Sequence, residues 1–185
     1  MNTYSIKIAL RGVSPMIWRR LRVRGNTSLA NLHHIIQIAM SWDNDHLHCF
    51  HIYGEDYGIR YDGGLSFTHN AHQVFLDDFG FDVGDRFTYT YDFTTYWLCD
   101  IRVEAIEPLS TPMPRCFGGS GRQSEDGSRY YKADETFALF DLIAKVVKAK
   151  KTTTVGRLSP LIEHYEDVRF SRVLVNKQLE ESFHS

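Results

Sequence analysis

Two histidines stand two residues apart in His46-Leu47-His48, and a third, His33, precedes them. On a strand, side chains two apart project from the same face, an arrangement that lets two imidazoles meet one metal ion. Asp43, Asp45 or Cys99 could complete the shell. Three nitrogens with one open position would suit zinc, or another divalent metal, as a Lewis acid or an activator of water. The chain would then be a metal-dependent, hydrolase-like enzyme built on His33, His46 and His48. A blander reading competes with this one, because the face of His46 and His48 also carries Phe50 and Ile52. A histidine among such neighbours commonly serves structure, bonded to a carbonyl or a carboxylate.

A second set of side chains points to a different chemistry. Trp18, Arg20, Arg22 and Arg24 alternate with Arg19, Leu21 and Val23 and so share one strand face. The first 24 residues hold six basic and no acidic side chains, and residues 145–157 add five basic and no acidic ones. Two such segments meeting in space could track phosphates, with Trp18 stacked on a base, as a DNA-binding accessory protein would. Residues 77–107 carry eight acidic and two basic side chains, so the same arginines can equally pair within the chain or with a protein partner. The formal net charge is only −2, which excludes binding to nucleic acid through the overall field of the molecule.

Nucleophilic catalysis has little to build on. There is no Gly-x-Ser-x-Gly elbow, and Cys49 points away from its neighbour His48, sharing a face only with His51. Gly118-Gly119-Ser120-Gly121 lacks the Gly-Lys-Ser/Thr ending of a phosphate loop. Three cysteines at wide spacings make neither a disulfide framework nor a zinc finger. No run approaches the roughly 18 apolar residues of a membrane span, and the first residues lack a signal-peptide core. The expected location is cytoplasmic, with no membrane partner.

Several elements must position these residues. Tyr4, Ile6, Ile8 and Leu10 alternate with polar or small residues as a strand, and Gly12 to Pro15 turn the chain into a second strand with the basic outer face. Asn26-Thr27-Ser28 offers caps for a helix over residues 29–40, where Leu29, Leu32, Ile35, Ile36, Ala39 and Met40 recur at helical spacing. Residues 46–53 alternate as a strand, and residues 54–72 read as an irregular hairpin or a long loop. Phe87, Tyr89, Tyr91 and Phe93 line one face of a further strand that pairs with residues 99–105 across a turn at 94–98. That aromatic stripe suits a core. Residues 108–132, rich in Pro and Gly, read as a long connection without regular structure. Helical spacing returns from Asp134, and a short last helix over 172–181 has Ser171 as cap and Val173, Leu174 and Leu179 as its apolar residues. Together these make one α+β domain over 1–185 with a mixed or largely antiparallel sheet, an N-terminal hairpin, one helix on the sheet and helices after residue 133. A β-grasp-like core is one way to pack a helix against such a hairpin.

Several segments in this order resemble a known family. They are Ile17-Trp18-Arg19-Arg20, Leu32-His33-His34-Ile35-Ile36-Gln37-Ile38-Ala39-Met40, Trp42 with His46-Leu47-His48-Cys49-Phe50, and Gly84-Asp85-Arg86-Phe87-Thr88-Tyr89-Thr90-Tyr91-Asp92-Phe93. The family is the Ri-plasmid open-reading-frame-three-like group, whose members are often labelled insertion-element passenger protein TnpR. The resemblance runs from about Tyr4 to Ile106, and Phe170 to Leu179 resembles the closing helix more loosely. It implies a compact α+β domain and an association with mobile elements, without an assigned reaction. A serine recombinase would need a nucleophilic Ser in a Tyr-x-Arg-Val-Ser type of motif, which Tyr4-Ser5-Ile6-Lys7 does not supply. The chain also departs from the family pattern. Thr94-Thr95-Tyr96-Trp97-Leu98-Cys99 replaces a Gly-Asp turn, a Trp and a His, and the Cys-rich segment shrinks to Cys116 followed by Ser124-Glu125-Asp126. The resulting expectation is an accessory or binding protein without catalysis, working through a surface cleft lined by aromatic and histidine residues. Its partner would be another protein or a second copy of the chain.

Overall fold

The computed structural model describes residues 1–13, 16–59, 67–94, 96–108, 114–121 and 170–183. The expected alternations form β1 (Asn2–Leu10) and β2 (Trp18–Arg24), paired antiparallel with Ile6 opposite Leu21. Next come α1 (Leu29–Met40), β3 (His48–Ile52), β4 (Glu55–Gly58) and β5 (His69–Asn70). A 3₁₀ turn at Leu76–Phe79 leads to β6 (Arg86–Tyr91), β7 (Trp97–Pro108), β8 (Arg115–Ser120) and α2 (Arg172–Phe183). The strands make one eight-stranded sheet in the order β5-β4-β3-β6-β7-β1-β2-β8. All pairs are antiparallel except β4 with β5. The fold is α+β.

Alternation decides which face is buried. Ile6, Ile8, Leu21, Val23, Phe50, Ile52, Tyr89, Ile101 and Val103 all lie in one core with Leu29, Leu32, Ile35, Ile36 and Met40 of α1. Burying a side chain of this size contributes about 1.5–3 kcal/mol each, so this shared layer is the main source of stability. Helix α1 begins as its sequence suggests, with the Ser28 hydroxyl accepting from the Asn31 amide. It ends at Ser41, whose left-handed backbone returns its N–H to the carbonyls of Gln37 and Ile38.

Four expectations need correction. Regular structure was not expected around Gly118 and Gly119, yet β8 pairs with β2 there. Gly119 faces Arg19, and a Cβ on it would meet the Phe170 ring at 2.7 Å and Arg19 Cδ at 3.0 Å, so the missing side chain is what admits both groups. Phe93 leaves the aromatic stripe because Asp92 adopts a φ of 52°, which ends β6 and turns the next side chain outward. In α2 the buried residues are Val175 and Leu179, whereas Val173 and Leu174 are exposed, because the helix seats the other side of its apolar stripe. Residues 54–72 contain β4 and β5, so the stretch is not wholly irregular. The helix expected from Asp134 lies outside the described residues.

Arg19 shares the buried face of β2, as the alternation requires, and is only 2% exposed. Its guanidinium donates to the carbonyls of Ala39, Trp18 and Ser120 and lies 4.3 Å from the Phe170 ring centre. It thereby ties the end of α1 to β2, β8 and the approach to α2. At the sheet edge, the Asn176 carboxamide accepts from the Cys116 N–H and donates to the Cys116 carbonyl. Helix α2 thus satisfies backbone groups that an edge strand would otherwise present to another chain.

Candidate functional site

The core supplies an unusual polar centre. On α1, His33 and Gln37 are one turn apart and both turn inward, where they reach the hydroxyl of Tyr89 on β6. The Tyr89 O–H donates to His33 Nδ1 at 2.7 Å and accepts from the Gln37 amide at 2.8 Å. His33 Nε2 carries the proton and donates to Asn44 Oδ1 at 2.5 Å, while the Asn44 N–H donates to Gln37 Oε1 at 3.1 Å. The four residues close a ring of hydrogen bonds with every member satisfied, the condition under which a buried polar network stabilises and specifies a structure. The ring also holds Asn44 at a φ of 57°, at the start of the loop into β3.

His48 stacks on His33, with ring centres 3.5 Å apart and planes inclined by 10°. It is 1% exposed, and neither ring nitrogen has a hydrogen-bond partner among the described residues. Burial pushes the imidazole of His33 down to about 3 and that of His48 down to about 2, the latter aided by the neighbouring ring. Both are therefore neutral near neutral pH. Imidazole lone pairs lie in the ring plane, so two nearly parallel stacked rings aim their nitrogens along separate planes and do not converge on one ion about 2.0–2.1 Å away. Both nitrogens of His33 are also already bonded.

His46 stands elsewhere. β3 begins only at His48, so the two-residue spacing does not carry the strand face back to His46. The His46 ring is half-exposed and packs edge-on against Tyr91, with ring centres 6.0 Å apart. Its Nε2 lies 3.3 Å from Asp45 Oδ1 and its Nδ1 lies 3.9 Å from Asp92 Oδ1. The carboxylates thus address opposite nitrogens of the ring, whereas ligands of a shared ion would converge on one point. Among the described residues no group of three or more His, Cys, Asp or Glu side chains is placed to hold a metal. Cys99, a further suggested ligand, is buried under the sheet layer with its thiol pushed up by desolvation.

What surrounds His46 is a cleft of about 320 Å³ between two loops. Asn44, Asp45, His46 and Leu47, between α1 and β3, form one wall, and Asp92, Phe93 and Thr94, after β6, form the other. The 44–47 wall is tied to the core by two tyrosines. The Tyr91 hydroxyl donates to Asp45 Oδ1 at 3.1 Å and accepts from the Asp45 N–H at 3.2 Å, while Tyr89 acts on Asn44 through the ring above. Burial raises the Tyr91 phenol to about 12, so it stays a donor. Asp92 Oδ1 accepts from the Thr94 N–H, and its backbone N–H donates to the Leu47 carbonyl, joining the two walls.

The basic strand face is engaged within the chain. Arg20 forms a two-pronged bond with Glu104 at 2.6 and 3.0 Å, and Arg22 approaches Glu107 at 3.7 Å. Arg20 and Lys7 also flank the Trp18 ring at 5.1 and 5.3 Å. Residues 145–157, the second basic segment, lie outside the described residues.

Of the segments that carry the resemblance, Trp42, His46-Leu47-His48 and Tyr91-Asp92-Phe93 meet around this cleft and the polar centre behind it. A family model described as plasmid pRiA4b ORF-3-like protein matches residues 2–136. The chain belongs to that family. It is similar to an uncharacterised protein, y4hQ, of Sinorhizobium fredii, at 32% identity over 118 residues, which are 63% of this chain and 61% of the relative. The chain thus matches less than two thirds of that relative's length. Among solved structures it is similar to a protein of unknown function, MM3350, from Methanosarcina mazei. The TM-score is 0.62 at 23% identity, with 92% of this chain and 96% of the other covered, a likeness of fold.

Sequence reasoning placed His33 close to His48 but missed Gln37, Asn44 and Tyr89, the residues that organise the centre. Two signals for them were available. Gln37 follows His33 by one helical turn on an otherwise apolar stripe, and the buried aromatic stripe contains tyrosines whose hydroxyls need partners. Asp92 carried no signal, since nothing in the alternation marks a left-handed residue at the end of a strand.

Proposed function

We propose that this protein is an accessory module without catalysis, which binds a ligand or a segment of a partner in the cleft between residues 44–47 and 92–94. The observation that carries the reading is the tethering of the 44–47 wall to buried Tyr89 and Tyr91, with the 92–94 wall held to it by the Asp92 N–H on the Leu47 carbonyl. A cleft held in shape before binding loses less freedom on association, which favours affinity. The chemistry of the neighbouring side chains agrees. Burial lifts the Cys49 thiol to about 12 and raises Cys99 and Cys116 as well, so none of the three is poised as a thiolate nucleophile. All three are free thiols, which suits a reducing, cytoplasmic setting. The plasmid in the family description supports a role beside a mobile element.

The test is a fragment screen of mixed charge and polarity against ¹⁵N-labelled protein. Fragments that move the amide signals of residues 44–47 and 92–94, and leave strand β1 unmoved, are the expected result. If no fragment moves those signals, the cleft is not a binding site and the reading is wrong.

A further inference from the structure

We infer that the sheet face turned away from α1 binds single-stranded nucleic acid along a row of basic side chains that crosses four strands. In the register, Arg86 on β6 stands opposite Arg102 on β7, Arg102 opposite Lys7 on β1, and Lys7 opposite Arg20 on β2. Their neighbours along the strands, Phe87, Ile101, Ile6 and Leu21 among them, are buried in the core, so the four cations share the opposite face. Strands lie about 4.8 Å apart, which gives the row a span of roughly 14 Å. One row on, Arg22 stands opposite Arg115 of β8. Like charges directly opposite one another destabilise a sheet. The arrangement costs stability in the free protein, and an anion laid across it relieves that cost.

The carboxylates nearby are too few to neutralise this face. Asp100 is held by Arg11 and Glu104 by Arg20, and Glu107 lies near Arg22. Among the described residues, no carboxylate forms an ion pair with Lys7, Arg86, Arg102 or Arg115. The pairs of Arg20 and Arg22 are partly solvated, so a phosphate can exchange into them. Two aromatic rings in the same patch favour a nucleic acid over other polyanions. Trp18 lies beside Lys7 and Arg20, its ring against Gly118, where a Cβ would meet it at 3.5 Å. Phe117 is 38% exposed, with the Arg22 guanidinium 5.5 Å from its ring centre. Bases stack on such rings and on guanidinium planes, whereas lipid headgroups and acidic side chains bring no flat ring to them. A duplex hides the faces of its bases, so a single strand suits the patch better. Because the formal net charge is −2, the chain as a whole does not attract a polyanion, and the row must supply the attraction.

Fluorescence anisotropy of labelled twelve-nucleotide strands titrated with the whole chain tests the inference. The strands are oligodeoxyuridylate and oligouridylate, which differ only in the 2′-hydroxyl. The other probes are the duplex of oligodeoxyuridylate with oligodeoxyadenylate, polyphosphate as a competitor, and phosphatidylserine vesicles. At low salt a single strand is expected to bind at least threefold more tightly than the duplex. Its log affinity should fall against log salt with a slope of roughly −2 to −3, as three or four phosphate contacts give. Arg102→Gln, at the centre of the row, is expected to weaken the strand about threefold to tenfold and to flatten that slope by about 0.7. Its unfolding midpoint should stay unchanged or rise, since repulsion from Arg86 and Lys7 is relieved. Arg86→Gln, at the end of the row, is a second variant held to the same expectations. Phe117→Ala should weaken the strand at least threefold and leave competition by polyphosphate unchanged. Lys177→Gln, on the exposed side of α2, should change nothing. Tighter binding of oligouridylate assigns the face to RNA, and equal or weaker binding assigns it to DNA. Equal or tighter binding of the duplex, indifference to both arginine variants, or an equal loss with Lys177→Gln overturns the inference. Binding to the vesicles without binding to either strand overturns it too. The row and the cleft share no residue, so this inference and the binding reading above stand or fall separately.

Discussion

His46 and His48 are separated by one residue and live in different environments. His48 is sealed under the sheet against His33, neutral and without hydrogen-bond partners among the described residues, whereas His46 is half-exposed between two carboxylates at the mouth of a cleft. The difference arises because β3 starts at His48 and a left-handed Asn44 sets the path of the loop before it. A two-residue spacing puts side chains on one face only while the chain is extended. Identical residue types therefore divide between a centre that shapes the molecule and a site that meets solvent.

Acid should expose the contrast most strongly. Both buried imidazoles have folded-state values below the ordinary value near 6.5, so below that pH the unfolded chain takes up protons that the folded chain refuses. Stability is then complete above about pH 6.5 and falls with pH, by up to about 1.4 kcal/mol per unit for each ring. The loss levels off only near pH 3 for His33 and near 2 for His48. Urea unfolding at a series of pH values measures the slope. A stability independent of pH between 6.5 and 5 would mean that the rings are not sealed.

Tyr89→Phe should come next, at about 2–4 kcal/mol, because His33 Nδ1 and the Gln37 amide both lose their buried partner. Faster hydrogen exchange at Asn44 and Asp45 should accompany it if the ring of hydrogen bonds truly holds the cleft wall. A stability loss without faster exchange would separate the two regions that we connect.

His48→Leu should cost less than about 1 kcal/mol or even stabilise, since it replaces a buried polar ring that has no partner among the described residues with an apolar side chain of similar size. It should also flatten the pH slope by one imidazole's share. A large loss in urea unfolding would show that His48 makes a bond that its surroundings do not account for. Smallest of all is His46→Gln, expected to move stability by no more than about 0.5 kcal/mol, as exposed substitutions do. Its effect should fall on binding in the cleft, read from the amide shifts of residues 92–94. A marked loss of stability would place His46 with the structural histidines.

Much of the architecture was legible from local pattern. The alternation in residues 4–10, 18–24 and 87–91 and the cap and stripe of residues 28–40 reflect geometry that repeats every two or 3.6 residues, so short windows suffice to read it. β8 was not legible, because two glycines there look like a loop until Arg19 and Phe170 are seen to need the space. Phe93 and α2 misled for a related reason: the pattern gives an apolar face, and a left-handed residue or a neighbouring element decides how far it extends and which side is seated. The site was half legible. His33 and His48 do meet, as their elements suggested, but by stacking, and His46 stands apart from both in a cleft whose opposite wall lies more than forty residues away in the chain.

The amino-acid sequence by itself determined β1, β2, β6 and β7, the first helix, most of the core they share and the family to which the chain belongs, because each follows from residues close together along the chain. Only the tertiary structure decided that Tyr89 joins Gln37 to His33, that Tyr91 holds Asp45, and that Asp92 faces His46. Those relations depend on the registry of β6 against β3 and on the seating of α1. Hydrogen bonds and charge pairs are sensitive to fractions of an ångström in partner position, and a periodic pattern carries no such distance.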